Sequence, residues 1–111
     1  MMEKTVEQWL GKKIKEVGGL WLKFTSPGTT GVPDRILIYR GVALFVELKT
    51  ETGRLSPVQK ATHQKFIAAG KSVHIVYGRA GAESFFRRVT DVCWPFEDYV
   101  DVYEWRGKDD E

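Results

Sequence analysis

The sequence predicts an α/β fold in which helices flank a mixed β-sheet, in the order α-β-β-β-α-β-α with an extra C-terminal strand. Residues 35–49 contain two apolar, β-branched and aromatic runs around Arg40-Gly41, a pattern typical of a β-hairpin. A helical pattern then separates the second run from the apolar stretch Val73–Tyr77, which favours a parallel crossover. The 111 residues are expected to form one domain, with a core at about 5–89 and an aromatic extension at 90–111.

The first helix is predicted over Thr5–Val17, where Thr5 and Gln8 fit a capping box and Gly18-Gly19 ends the helix. Glu7 lies in the first turn at the margin of the apolar stripe, where the helix dipole by itself favours a carboxylate. The predicted buried stripe consists of Val6, Trp9, Leu10, Ile14 and Val17.

A strand over residues 20–25 and a loop of small polar residues at 26–31 lead into the hairpin. This loop is either a plain connection or a segment whose hydroxyl and backbone groups contact phosphates. If Arg40 and Gly41 form a two-residue turn, counting outward places Asp34 directly opposite Glu47. Opposed residues share a face of the sheet with Cβ atoms about 5 Å apart, and strand alternation adds Lys49 to that face.

Two opposed carboxylates destabilise a sheet unless a cation lies between them. Asp34, Glu47 and the carbonyl of Leu48 are hard oxygen ligands, which suit Mg²⁺ or Mn²⁺. The alternative is that Asp34 merely begins a strand and that Glu47 and Lys49 form a solvated charge pair. Because residues 43–46 resemble a strand buried on both faces, unpaired charges at its end would be costly, which argues against that alternative.

The second helix has strong start signals in Ser56, Pro57 and Gln59, and it ends at Gly70. Gln59 closes the capping box, and it also lies near the end of the Glu47 strand, where it could meet an anion or orient a water. The predicted inner face of this helix consists of Val58, Ala61, Thr62, Phe66 and Ala69.

A fourth strand at Val73–Tyr77 precedes a third helix at about Ala80–Val89, with Phe85, Phe86 and Val89 inward. Residues 98–105 alternate as a strand would and are rich in aromatic side chains. This last strand is expected to pack either on its own domain or against a partner subunit.

The net charge of +2 is too small to indicate a nucleic-acid partner by itself. The lone Cys93 excludes an internal disulfide and a cysteine zinc site, and His63 and His74 are interpreted as surface or packing residues. No stretch is apolar enough to span a membrane or to act as a signal peptide. The expected location is therefore the cytoplasm.

Three segments, at residues 31–35, 45–49 and 55–59, together resemble the VRR-NUC domain. Asp34 followed by Glu47-Leu48-Lys49 also matches the broader PD-(D/E)XK nuclease pattern, with Pro33-Asp34 present literally. The resemblance covers roughly residues 7–77 and can be extended to 89. It implies a restriction-endonuclease-like core that hydrolyses phosphodiester bonds.

The resemblance also implies a role for each residue of the motif. Asp34 and Glu47 bind the metal, with the Leu48 carbonyl as a further ligand. Glu7 takes the place of the acidic residue of the first helix and is the fourth member of the metal-binding set. Lys49 holds or polarises the attacking water, and Gln59 is the glutamine of the following helix. The catalytic set is therefore Glu7, Asp34, Glu47, Lys49 and Gln59, with Mg²⁺ or Mn²⁺ as cofactor.

DNA is the expected substrate, and contacts to phosphates should position it without reading its sequence. The leading hypothesis is a homodimer that cleaves branched DNA such as Holliday junctions. The alternatives are a nuclease for flap, nicked or linear DNA, a non-catalytic DNA-binding module, and a protein-interaction domain that uses residues 99–105. The expected phosphate contacts are Lys12, Lys13, Lys23, Arg35, Arg54 and Lys60, with Arg79 as a looser candidate.

Overall fold

The computed structural model describes residues 3–93, 97 and 99–107. Strands β1, β2 and β3 are antiparallel neighbours, and β3, β4 and β5 run parallel, in the order β1-β2-β3-β4-β5. This mixed sheet with flanking helices confirms the predicted fold class. The elements are α1 (Glu3–Glu16), β1 (Leu20–Lys23), β2 (Arg35–Tyr39), β3 (Val42–Lys49), α2 (Pro57–Ala68), β4 (Val73–Tyr77), α3 (Gly78–Val89) and β5 (Val102–Trp105).

The helices cover both faces of the sheet. Helices α1 and α3 pack on one face, over a core that includes Leu10, Ile14 and Phe85 and the inward side chains of β3. Helix α2 covers the other face, where Phe66 makes an edge-on contact with Phe45. Alternation along β3 therefore directs Leu48 towards α1 and α3 and directs Glu47 towards α2.

The hairpin has the predicted register, with Tyr39 paired to Val42. Both turn residues have positive φ, 50° at Arg40 and 80° at Gly41, as the two-residue I′ turn requires. Arg35 pairs with Val46 at the other end of the ladder, so that Asp34 lies one position further along, across from Glu47. A local turn thus determines which charged residues meet at the end of the sheet.

Helix α1 differs from its prediction at both ends. It already includes Glu3, so that Thr5 lies inside the helix and cannot be its N-cap. It ends at Glu16, and Val17, predicted in the buried stripe, is 39% exposed because the chain turns away at Gly18, which has φ of 87°. The buried residues Val6, Leu10 and Ile14 confirm the central part of the stripe.

The capping box of α2 is confirmed by two hydrogen bonds between Ser56 and Gln59. Its predicted inner face was wrong in part, because Val58, Ala61 and Ala69 are exposed. Thr62 is buried as predicted, and its hydroxyl donates to the carbonyl oxygen of Thr30 at 2.6 Å. His63, which was not predicted on this face, is buried as well. A polar side chain such as Thr62 can lie on this face because a distant part of the chain supplies its hydrogen-bond partner.

The C-terminal strand packs on its own domain, as one of the two alternatives predicted. Strand β5 extends the sheet beside β4, and Trp105 is buried against His74, whose Nδ1 accepts from Trp105 Nε1 at 3.1 Å. The predicted start of this strand at Asp98 lies outside the described residues. None of the helices in the described part of the chain is long and apolar enough to cross a bilayer.

Candidate active site

Asp34 and Glu47 form the centre of the site at the end of β2 and β3. Asp34 Oδ2 accepts a hydrogen bond from the backbone N–H of Leu48 at 2.9 Å, and Glu47 is only 1% exposed. The pKa of Asp34 is raised to about 6, mainly by burial and in addition by the carboxylates of Glu47 and Glu7, while the Leu48 hydrogen bond lowers it. The two carboxylates are therefore held together at an electrostatic cost.

Lys49 and Gln59 surround the Glu47 carboxylate on the side of α2. Gln59 Nε2 donates to Glu47 Oε2 at 3.2 Å, and Gln59 Oε1 accepts from Lys49 Nζ at 3.0 Å. Lys49 Nζ also lies 3.9 Å from Glu47 Oε2. Because Gln59 Oε1 also accepts from the Ser56 N–H at 2.9 Å, the helix cap fixes the amide orientation. The structure thus brings Asp34, Glu47, Lys49 and Gln59 together.

Glu7 approaches this centre from α1, but its closest partner is a cation. Arg35 Nη2 donates to Glu7 Oε1 at 3.2 Å, and the Arg35 guanidinium lies over the ring of Trp21, 5.6 Å from its centroid. Glu7 contributes to the raised pKa of Asp34, so the two carboxylates are near enough to interact through space. Glu7 is therefore at the margin of the site, held by an ion pair.

The donor set suits a hard divalent cation with few protein ligands. In residues 3–93, 97 and 99–107, no three His, Cys, Asp or Glu side chains come together as a metal-binding group. Two carboxylates and a backbone carbonyl remain, and Mg²⁺ commonly binds to one or two carboxylates and completes its shell with water and substrate phosphates. Glu47 Oε1 is buried and has no hydrogen-bond partner. Because each carboxylate oxygen has two lone pairs, the Glu47 carboxylate can bind a cation and still accept hydrogen bonds.

His63 belongs to the same cluster, although the sequence analysis treated it as a surface or packing residue. It is 1% exposed, and its Nε2 lies 3.4 Å from Glu47 Oε1. The signal in the sequence was its position one helical turn after Gln59, which places both side chains on the same face of α2.

The predicted phosphate-binding residues lie in different parts of the surface. Lys12 and Arg35 line a cleft of about 530 Å³ that is bounded by Glu7. Arg54 and Lys60 line a second cleft, of about 610 Å³, into which His63 also faces. Glu7 and His63 are both neighbours of the carboxylate pair. One basic cleft therefore lies beside Glu7, and the other lies beside His63.

Three other predicted cations occupy neither cleft. Lys23 is exposed at the end of β1. Lys13 Nζ lies 3.7 Å from Glu16 Oε1, and Arg79 donates to Glu83 Oε2 at 3.1 Å while stacking over Trp9. Because Lys13 and Arg79 already have acidic partners, they are weaker candidates for phosphate binding than Arg54 and Lys60.

Two comparisons with known proteins find similar chains, although no family model matches the sequence. The chain is 35% identical over 75 residues to "Putative nuclease p44" of Acyrthosiphon pisum secondary endosymbiont phage 1, covering 67% of this chain and 81% of that protein. It also superposes on a solved structure described as "VRR_NUC domain" with a TM-score of 0.70 and 29% identity. That match covers 77% of this chain and 94% of the solved chain.

Proposed function

This chain belongs to the VRR-NUC nucleases, and from that premise we propose that it is a metal-dependent, structure-selective DNA endonuclease that acts on branched DNA such as Holliday junctions. The observation that carries the proposal is the cluster of Asp34, Glu47, Lys49 and Gln59 at one end of the sheet. A carboxylate pair in which Glu47 raises the pKa of Asp34, beside a lysine, suits phosphodiester hydrolysis assisted by a cation.

Asp34, Glu47 and the Leu48 carbonyl would hold Mg²⁺ or Mn²⁺, with Glu7 acting on the same centre from its margin. When bound, the ion supplies Lewis-acid polarisation of the phosphoryl oxygen and lowers the pKa of a nearby water. The phosphoester bond breaks as water attacks phosphorus in line with the leaving 3′ oxygen.

Lys49 is the residue that meets the developing negative charge. Its ammonium is held by Gln59 Oε1 at 3.0 Å, so that it faces the carboxylate pair without reorganisation during the reaction. A preorganised donor of this kind stabilises a transition state that accumulates negative charge. Gln59 therefore acts by positioning, because it also donates to Glu47.

The preference for branched DNA rests on the distribution of charge around the site. The basic residues line two separate clefts, and contacts of this type bind phosphates without reading bases. A homodimer would present two such sites to two strands, as paired cuts in a junction require. Strand β5 lies at an edge of the described sheet, which is where a second copy would extend the sheet.

The test is cleavage of a synthetic four-way junction beside matched linear duplex, flap and single-stranded DNAs. Each substrate is incubated with Mg²⁺, Mn²⁺ or EDTA, using the wild type and Asp34→Ala. We expect paired cuts in the junction that need the metal and are absent from Asp34→Ala. Metal-dependent cutting of flap or linear DNA instead would retain the chemistry and exclude the junction preference. Binding without cutting would indicate a non-catalytic DNA-binding module, and a well-folded protein that neither binds nor cuts DNA would favour a protein-interaction domain.

We expect Arg54→Ala and Lys60→Ala to weaken DNA binding equally for all substrates, because both residues line the cleft beside His63. Removal of a phosphate contact reduces the salt dependence of binding, with the slope of log K against log salt falling by about one for each residue. Fluorescence anisotropy across a salt series measures this slope. Lys65→Ala is the matched control, because Lys65 is an exposed lysine of α2, the helix that contains Lys60, and lies outside that cleft. An equal slope change in Lys65→Ala would show that the cleft has no special part in binding.

A further inference from the structure

We infer that His63 is a positioning residue for Glu47, whose carboxylate it holds in place by donating a hydrogen bond from Nε2–H to Oε1. The inference rests on the proposed function, since it concerns Glu47 as a ligand of the divalent cation. It adds to the site a residue that the motif of Asp34, Glu47, Lys49 and Gln59 does not include.

Helix α2 directs two side chains, one turn apart, at the two oxygens of the same carboxylate. Gln59 Nε2 donates to Oε2 at 3.2 Å, while His63 Nε2 lies 3.4 Å from Oε1. Groups on both oxygens define the plane of the carboxylate, which a single hydrogen bond leaves free to rotate.

Both ring nitrogens of His63 and Oε1 of Glu47 are buried without a hydrogen-bond partner. Leaving a buried polar group unsatisfied is costly, so a residue with only a packing role would be better served by an apolar side chain. A local adjustment that shortens the 3.4 Å separation and directs Nε2–H at Oε1 gives normal hydrogen-bond geometry and provides a partner for both atoms.

The neutral imidazole is sufficient for this role when its proton is on Nε2, because that nitrogen is then the donor. Residues that orient a metal ligand in this way contribute about 10- to 100-fold to metal affinity or activity. His63 would therefore act on the cation through Glu47, without contact with the substrate.

The experiment compares His63→Leu, which keeps the bulk and removes the donor, with His63→Gln, whose Nε2 can replace the donor. Mn²⁺ binding is measured by calorimetry on the full chain without DNA, and urea unfolding checks the fold. We expect His63→Leu to weaken Mn²⁺ binding by about 10- to 100-fold. The Mn²⁺ affinity of His63→Gln should remain within about threefold of the wild type. The metal concentration for half-maximal cleavage should rise more in His63→Leu than in His63→Gln. Equal Mn²⁺ affinity in the wild type and a folded His63→Leu would overturn the inference, as would a Gln variant no better than Leu.

A measurement on the wild type does not depend on the stability of any variant. Ring ¹⁵N chemical shifts report which nitrogen carries the proton, and the chain contains only two histidines to distinguish. We expect His63 to carry its proton on Nε2 and its ring shifts to change in Glu47→Ala. A proton on Nδ1 would exclude the proposed hydrogen bond. Failure of the wild type to bind Mn²⁺ at all would refute the proposed function, whereas the ¹⁵N result would still decide whether His63 holds Glu47.

Discussion

Asp34→Asn should abolish DNA cleavage and, in metal-free protein, increase the free energy of unfolding above about pH 6. Activity is lost because the variant lacks a carboxylate that would bind the cation. The cation would stabilise the transition state by several kcal/mol. We expect a fall of about 10³-fold or more. Glu47→Ala and Lys49→Ala should also abolish cleavage while leaving the fold intact.

The gain in stability has an electrostatic origin. The pKa of Asp34 is raised from 3.8 to about 6 in the folded protein, mainly by burial, with Glu47 and Glu7 adding to the effect. A raised carboxyl pKa means that the folded state binds the proton more tightly than the unfolded state does. This contribution to stability is present below about pH 3.8 and is lost as the pH rises through about 6. The asparagine side chain of the variant cannot ionise and therefore avoids the loss.

The free energy of unfolding of Asp34→Asn should exceed that of the wild type by about 1–2 kcal/mol at pH 8. A shift of two pKa units represents roughly 3 kcal/mol, and the partial exposure of Asp34 reduces this figure. Urea unfolding in EDTA at about pH 4 and pH 8 measures the difference, and cleavage is assayed in Mg²⁺. Asp91→Asn is the control, because Asp91 lies outside the site and its pKa is lowered by the Cys93 backbone N–H. A stability of Asp34→Asn equal to wild type at both pH values would contradict the electrostatic account.

Gly81→Ala should destabilise the fold although alanine is the better helix former. A Cβ at Gly81, inside α3, would clash with the backbone carbonyl oxygen of Trp105 and lie 3.0 Å from its carbonyl carbon. Both atoms belong to the backbone of β5, so no flexible side chain can move aside. We expect the clash to lower the free energy of unfolding by about 1–3 kcal/mol or more. This loss outweighs the roughly 1 kcal/mol that alanine gains in helix propensity.

Urea unfolding measures this loss, and hydrogen exchange should show the amides of β5 losing protection first. Gly28→Ala is the matched control, since an added Cβ there meets nothing within 4 Å. A Gly81→Ala protein as stable as the control would mean that α3 and β5 can separate without cost. A displacement of β5 would also affect the C-terminal segment, because Trp105 Nε1 donates a hydrogen bond to the buried His74.

Short-range chemistry made the centre of the site predictable. The Arg40-Gly41 turn sets the hairpin register, and strand alternation then places Asp34, Glu47 and Lys49 at one end of the sheet. The capping box of Gln59 depends only on residues 56–59, whereas its place in the site was predicted from the resemblance to the VRR-NUC domain. The turn, strand and cap predictions use interactions among residues close in sequence or across a single tight turn.

The sequence by itself therefore determined the fold class, the hairpin register and the four central residues of the site. The tertiary structure decided that His63 is buried beside Glu47, that Glu7 pairs with Arg35, and that β5 extends the sheet beside β4. These contacts join residues 16 or more positions apart, and local patterns do not contain them. His63 fits a surface or a packing position by its sequence pattern, and only the folded chain brings it beside Glu47, because the cost of burying a polar group depends on what it meets.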